Sequence, residues 1–227
     1  MAARTKHEHS RSRPAIAPRK RPRQKRSSDL VGAIIEAAIR VLSRDGVHAF
    51  TTIRVAREAG VSVGSLYQYF PNKQALLFRL QTDEWDETWS VCEDILGDTQ
   101  YPPPERLRRM IRAFFRSERQ ERLLRAALDQ DAVAFRATPE AIDFQARVRR
   151  ATDAFFAALL PHASPARRAF AADFVMTSLG AVAEEITGQG RGLTEIDAWA
   201  EASADLYLGW LERFSDTSAA ARADRPK

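Results

Sequence analysis

From residue 28 onward, apolar residues recur at spacings of three and four, and no segment alternates with the period of two that a strand requires. Val31, Ile34, Ile35, Ala38 and Leu42 share one helix face, with Gly46 placed as a left-handed stop. Residues 52–59 and 63–69 read as two short helices separated by Gly60. Asn72 caps a long fourth helix with Phe78, Trp85, Trp89, Cys92 and Leu96 as its buried stripe, and Pro102-Pro103-Pro104 breaks the chain. Leu107, Met110, Ile111, Phe114 and Phe115 open a helix that continues to about Asp131. Thr138-Pro139 and Ser164-Pro165 are each a cap followed by a first-turn proline. Pro161 closes the first of these helices and Gly188-Gln189-Gly190 the second. Thr194, with Asp197 three residues on, looks like the capping box of a last helix. The fold class is all-α.

Composition and charge narrow the function. With 44% hydrophobic residues the 227-residue chain buries a core, and its single cysteine, Cys92, excludes an intrachain disulfide and a cysteine-based zinc site. The longest apolar run, Ala154 to Leu160, is far too short to span a bilayer, so a cytoplasmic protein without a membrane partner is expected. Residues 1–26 carry ten Lys/Arg against one Glu, whereas residues 81–227 carry nineteen basic and twenty-five acidic side chains. A basic head on an acidic body suits one end to a polyanion. Prolines at 14, 18 and 22 and the scarcity of apolar residues predict a disordered basic arm over 1–26.

The most informative stretch is Thr51 to Lys73, TTIRVAREAGVSVGSLYQYFPNK. Thr51 or Thr52 caps a two-turn helix, and its small Ala56 permits close crossing by another helix. Gly60 supplies a tight turn, Val61 fills the angle, and Ser62 caps the next helix, which makes a helix-turn-helix. Leu66 and Phe70, four apart, point into the core. Ser62, Ser65, Tyr67, Gln68 and Tyr69 are left to offer uncharged hydrogen-bonding groups to phosphates and base edges. Gly64 lets the helix start approach a backbone closely, its free N–H groups favouring an anion, and Lys73 adds a point charge.

On these residues, centred on AGVSVGSLYQYFPNKQALL, the sequence resembles the TetR family of bacterial transcriptional regulators over about residues 27–80. The resemblance implies an N-terminal three-helix DNA-binding domain and a larger C-terminal helical domain for ligand binding and dimerisation. It divides the chain into a basic arm at 1–26, a helix-turn-helix domain at 27–73, a ligand and dimerisation domain at 74–217, and a disordered tail at 218–227. It further implies that Thr52, Ser62, Tyr67, Tyr69 and Lys73 meet phosphates, while Gly64, Ser65 and Gln68 lie nearest the base edges. Many members carry His where this chain has Tyr69, and the basic arm is longer than the family needs.

In the C-terminal body, the last helix has apolar residues on a face too wide for one small core: Ile196, Trp199, Ser203, Leu206 and Trp210 beside Ala200, Tyr207, Leu211 and Phe214. Thr177, Ser178, Gly180, Ala181 and Ala183 on the preceding helix permit close packing. Two such helices from each of two chains suit a homodimer interface built on Thr177, Gly180, Ala181, Trp199, Ser203, Leu206 and Trp210. Met110, Phe114, Phe135, Phe144, Phe155 and Phe174 are expected to line a site for a small apolar or aromatic ligand. No cofactor, metal site or catalytic constellation is expected. His7, His9, His48 and His162 lack ligand spacing, and Glu184-Glu185 diverge around their helix.

The expected function is a homodimeric repressor that binds a palindromic double-stranded DNA operator, is released by a small molecule, and is nucleoid-associated when bound. Two alternatives stay open: an architectural protein that coats DNA through the basic arm, and a helical ligand carrier or enzyme with a vestigial DNA-binding domain.

Overall fold

Local chemistry starts the helices. Thr51, Ser62, Thr138 and Ser164 each accept, through the side-chain hydroxyl, the N–H of the residue three positions on, at 2.9–3.3 Å. The Asn72 carboxamide oxygen does the same for Ala75, at 2.7 Å. Each cap satisfies one of the four N–H groups that a helix start leaves without a partner. Pro139 and Pro165 occupy first turns, where a missing N–H costs nothing.

The computed structural model describes residues 25–223 apart from 129–134 and 136. Among the described residues there are eight helices and no strand. They are α1 (Lys25–Ala49), α2 (Thr52–Glu58), α3 (Val63–Tyr69), α4 (Lys73–Gly97), α5 (Pro103–Leu128), α6 (Pro139–Leu159), α7 (Pro165–Gly188) and α8 (Leu193–Ala223). The expected basic arm lies outside the described residues except for Lys25 and Arg26, which begin α1. Helix α8 runs into the stretch read as a tail, of which 224–227 lie outside the described residues. Gly46, with φ 74° and ψ 179°, breaks α1 three residues before its end, a backbone region essentially reserved for glycine.

The described residues form two compact units, divided between Arg79 and Leu80 within α4. In the first unit, Ile34, Ala37, Ala38, Val41 and Leu42 of α1 are buried, as are Val55 and Ala56 of α2 and Leu66 of α3. Ala75, Leu76, Leu77 and Phe78 at the start of α4 are buried as well. Arg40 and Arg44 both bond Glu58, joining α1 to α2 at 3.2 and 3.1 Å. The Arg44 guanidinium, then Arg40, holds the Glu58 carboxyl below its ordinary range. Both partners are solvated, so these pairs orient the helices more than they stabilise them.

In the second unit α5 packs against α7 and α8, and α6 against α7. Leu107, Met110, Ile111 and Phe115 of α5 join Phe155 and Phe156 of α6, Val175 and Leu179 of α7, and Ile196, Ala200, Tyr207 and Leu211 of α8 in one core. A ladder of charges runs along the antiparallel pair α5 and α8. Arg108 bonds Asp205 and Glu201, Arg112 bonds Glu201, and Arg116 takes both oxygens of Asp197 at 2.8 and 2.9 Å. The expected capping box of Thr194 and Asp197 is therefore corrected. The box sits two residues earlier: helix α8 starts at Leu193 and Glu195 accepts the Gly192 N–H at 3.2 Å, while Asp197 is drawn to Arg116.

A polar seam lies between α4 and α5 in this unit. Thr88 and Ser117 share a short hydrogen bond, Ser117 donates to Glu121 at 3.0 Å, and Thr88 lies within 3.3 Å of Glu84 and Glu121. Burial, then the charges of Glu121 and Glu87, pushes the Glu84 carboxyl up from its ordinary value. Burial, with Glu121 and Glu118 nearby, pushes the Cys92 thiol up to about 12, which keeps it protonated and unreactive. A carboxyl raised in the folded state contributes stability below its unfolded value and loses it as pH rises through the folded one. Glu84→Gln is therefore expected to be more stable than the parent at pH 7–8, with the difference shrinking as pH falls towards 4. Urea unfolding across that range measures it, and a difference independent of pH would show that Glu84 is not held in this way.

Candidate functional site

The first unit presents the site, and the turn between α2 and α3 builds it. Gly60 sits at φ 68°. Its N–H bonds the Arg57 carbonyl at 3.2 Å, and the Val61 N–H bonds the Ala56 carbonyl at 3.0 Å. This is the paired arrangement in which a left-handed residue closes a helix and turns the chain at once. Val61 is half-buried beyond the turn. Leu66 at 0% and Phe70 at 1% exposure then anchor α3 to the core, as their four-residue spacing predicts.

The predicted contact residues do not all reach the surface alike. Ser62, Gly64, Tyr67 and Gln68 are exposed, Ser65, Tyr69 and Lys73 are half-buried, and Thr52 is buried. Thr52 shares the inward stripe of α2 with Val55 and Ala56, and its Oγ1 lies 3.0 Å from the Tyr67 phenol oxygen. Thr52 thus ties the exposed ring of Tyr67 to the start of α2. The Ser62 and Ser65 hydroxyls are 2.8 Å apart, and Ser62 also accepts the Ser65 N–H. The Lys73 ammonium lies 5.6 Å from the centre of the Phe50 ring. A Cβ placed on Gly64 would meet only the Ser62 hydroxyl, at 3.8 Å, so the fold of the chain itself does not require glycine there.

Helix α3 carries no charged residue. Its outer face offers hydroxyl, phenol and carboxamide groups, which exchange hydrogen bonds with base edges and phosphates. Sequence reasoning did not single out two exposed apolar residues, Val63 of α3 at 36% and Ile53 of α2 at 57% exposure. Periodicity held a partial signal, because Thr52, Val55 and Ala56 define an inward stripe that leaves Ile53 outside it.

In the second unit, the residues expected to line a ligand site separate. Met110, Phe135 and Phe155 are buried, Phe114 and Phe144 are half-buried against the core, and the Phe144 ring stacks on Trp85 at 5.3 Å. Phe174 is corrected: at 43% exposure it stands on the surface, 4.7 Å from the Trp210 ring and stacked on Phe170. An open groove of about 620 Å³ between α6 and α7 has a floor of Phe144, Val148, Ala172 and Met176 and a rim of Arg149, Asp153 and Asp173.

The residues expected at a dimer interface also divide. Trp199 (39%) and Leu206 (65%) are exposed, with Thr177 and Ala181, while Gly180 and Trp210 are half-buried. Ser203 is corrected: at 7% exposure it faces its own core beside Ala204 and Tyr207. Phe170, Phe174, Trp210 and Phe214 form an aromatic cluster beside this face. Among the described residues, no helix is long and apolar enough to cross a membrane.

Residues 34–80 match the family model for bacterial regulatory proteins of the tetR family, and residues 102–214 match that for the tetracyclin repressor-like C-terminal domain. The fatty acid metabolism regulator protein of Bacillus subtilis (strain 168) is 40% identical over 47 residues, 21% of this chain and 24% of that protein. The chain thus matches about a quarter of that relative's length. A TetR-family transcriptional regulator structure from Mesorhizobium loti MAFF303099 shares 18% identity over 82% of this chain and 98% of its own, with a TM-score of 0.62. The regulator FadR from Bacillus subtilis, in complex with stearoyl-CoA, shares 16% identity over 78% of this chain and 97% of its own, with a TM-score of 0.61. Helix-turn-helix, helical body and family models agree: the chain belongs to the TetR family of bacterial transcriptional regulators.

Proposed function

We propose that this TetR-family regulator is a homodimeric repressor that holds a palindromic operator through α3 and releases it when a small apolar molecule occupies the second unit. The observation that carries the reading is the uncharged hydrogen-bonding face of α3, held by the Gly60 turn and the Thr52–Tyr67 bond. In this reading Thr52, Ser62, Tyr67, Tyr69 and Lys73 serve phosphates, with Thr52 acting through Tyr67. Gly64, Ser65 and Gln68 approach base edges.

The exposed apolar face of α7 and α8 supports the dimer, because a monomer rarely leaves so many aromatic side chains in water together. Two recognition helices related by a two-fold axis then read two half-sites. The apolar floor of the α6/α7 groove supports a ligand with a substantial apolar part, as does the stearoyl-CoA held by the Bacillus subtilis structure. Release needs about 1.4 kcal/mol of coupling for each tenfold loss of operator affinity.

Selection from a random DNA pool at near-physiological salt is expected to recover an inverted repeat with the full chain. A second selection lacking residues 1–24 separates the readings. Retained preference supports the regulator, and loss of all binding supports the architectural protein. Tyr67→Ala combined with Lys73→Ala is expected to weaken the operator complex by on the order of tenfold to a hundredfold. Unchanged affinity would show that this face is not the contact surface.

Gly64→Ala separates fold from function. Thermal melting is expected to show equal or higher stability, by about 0.5–1 kcal/mol, since alanine favours the helix and has room. Operator affinity is expected to fall by about tenfold or more as the Cβ holds the DNA off. Leu206→Glu, at an exposed position, is expected to leave the fold intact and convert the dimer to a monomer by light scattering. A dimer that survives both Leu206→Glu and Trp199→Glu would rule out this face.

A further inference from the structure

Helices α6 and α7 are joined by a short turn at 160–164 and pack on each other as an antiparallel hairpin. Residues equally far from that turn therefore stand at the same level on the two walls of the groove between them. Its floor is apolar, with Phe144, Val148, Ala172 and Met176. Thr152 also lines it, but the buried hydroxyl is spent within its own helix, donating to the carbonyls of Val148 and Arg149 at 2.9 and 3.0 Å. From Asp153 back to the exposed Ile142, both on the α6 wall, is about 16 Å along the helix, so the groove suits a long occupant.

The charge sits at the mouth, and it is unbalanced. Asp153 on α6 and Asp173 on α7 are both exposed and, counted from the turn, face each other at nearly the same level. Arg149 is the one cation among the lining residues, and it lies 3.9 Å from Asp153, one turn along its own helix. Asp173 has no ion-pair partner among the described residues, and its neighbours one turn away, Ala169, Phe170, Met176 and Thr177, are uncharged.

Resting on the groove as the ligand site of the regulator proposed above, we infer that its occupant is a long apolar amine, bound as the ammonium ion. The chain lies along the floor, and the ammonium sits between Asp153 and Asp173. Charge complementarity carries the assignment. A cationic head gains two carboxylates and supplies the partner that Asp173 lacks. A carboxylate or phosphate head gains only Arg149, which already leans to Asp153, and is repelled by both aspartates.

Calorimetric titration of the full chain with decylammonium, decanol and decanoate at neutral pH keeps the apolar part constant and changes the head alone. Decylammonium is expected to bind about fivefold to tenfold more tightly than decanol, and decanoate more weakly than either. Asp153→Asn combined with Asp173→Asn is expected to bring the amine to the affinity of the alcohol and to leave the alcohol unchanged. Equal binding of the three, tightest binding of decanoate, or an amine preference that survives the double substitution overturns the inference. Ala146→Trp, at an exposed position on the groove wall, is expected to weaken all three, with circular dichroism confirming the fold. If none of the three binds the parent, or if Ala146→Trp changes nothing, the groove is not the ligand site and the inference falls with that part of the reading. Heads that bind alike in a groove that Ala146→Trp closes overturn the amine and leave the groove standing.

Discussion

A helix of seven residues does not hold itself in water, because nucleation costs more than so few hydrogen bonds return. Both α2 and α3 are that short, so everything the site presents depends on what fixes them from outside. Three constraints supply the geometry. The Thr51 and Ser62 caps set the starts, the Gly60 turn sets the angle, and the burial of Leu66 and Phe70 sets the rotation of α3. The Thr52–Tyr67 bond adds a polar tie between α2 and α3. Substituting Gly60 would strain the turn without any clash, since a Cβ there meets nothing within 4 Å and the cost lies wholly in the positive φ.

These constraints are local, which is why they were legible in the sequence. A threonine, serine or asparagine before an apolar period, a proline in the first turn and a glycine after the last turn are short-range signals. Ser164-Pro165, Thr138-Pro139 and Asn72 delivered helix starts to the residue. What was not legible depends on partners far along the chain. Asp197 reads as a cap until Arg116, eighty-one positions away, claims both its oxygens. Phe174 reads as interior until α8 brings Trp210 beside it on the surface. Thr52 and Ser203 fall on polar letters but on inward stripes, and a stripe outranks a letter when the helix is packed on one side.

Helix α8 shows how one element serves two surfaces. Asp197, Glu201 and Asp205 form a row at four-residue spacing that meets Arg116, Arg112 and Arg108 in antiparallel order. Each pair is at least partly solvated and contributes little alone, but three in register penalise any slip of α8 along α5 by a full turn. The apolar residues Trp199, Leu206 and Trp210 lie on other sides of the same helix. In the proposed dimer, the charge ladder thus orders the helix whose exposed side meets the partner.

The distribution of charge separates affinity from discrimination. Helix α3 is neutral, whereas Lys73 follows it, Arg54 and Arg57 stand on α2, and residues 1–26 carry a balance of nine positive charges. Phosphate contacts from cations release counterions and weaken steeply with salt, while neutral hydrogen bonds and apolar contacts do not. In the proposed complex, rising salt therefore strips away the sequence-independent attraction first and leaves the contribution of α3 largely intact. A basic head of this size does not have to blur a neutral reading face. In the proposed complex it speeds encounter with DNA of any sequence, and the short-range contacts of Ser65 and Gln68 decide where the protein stays.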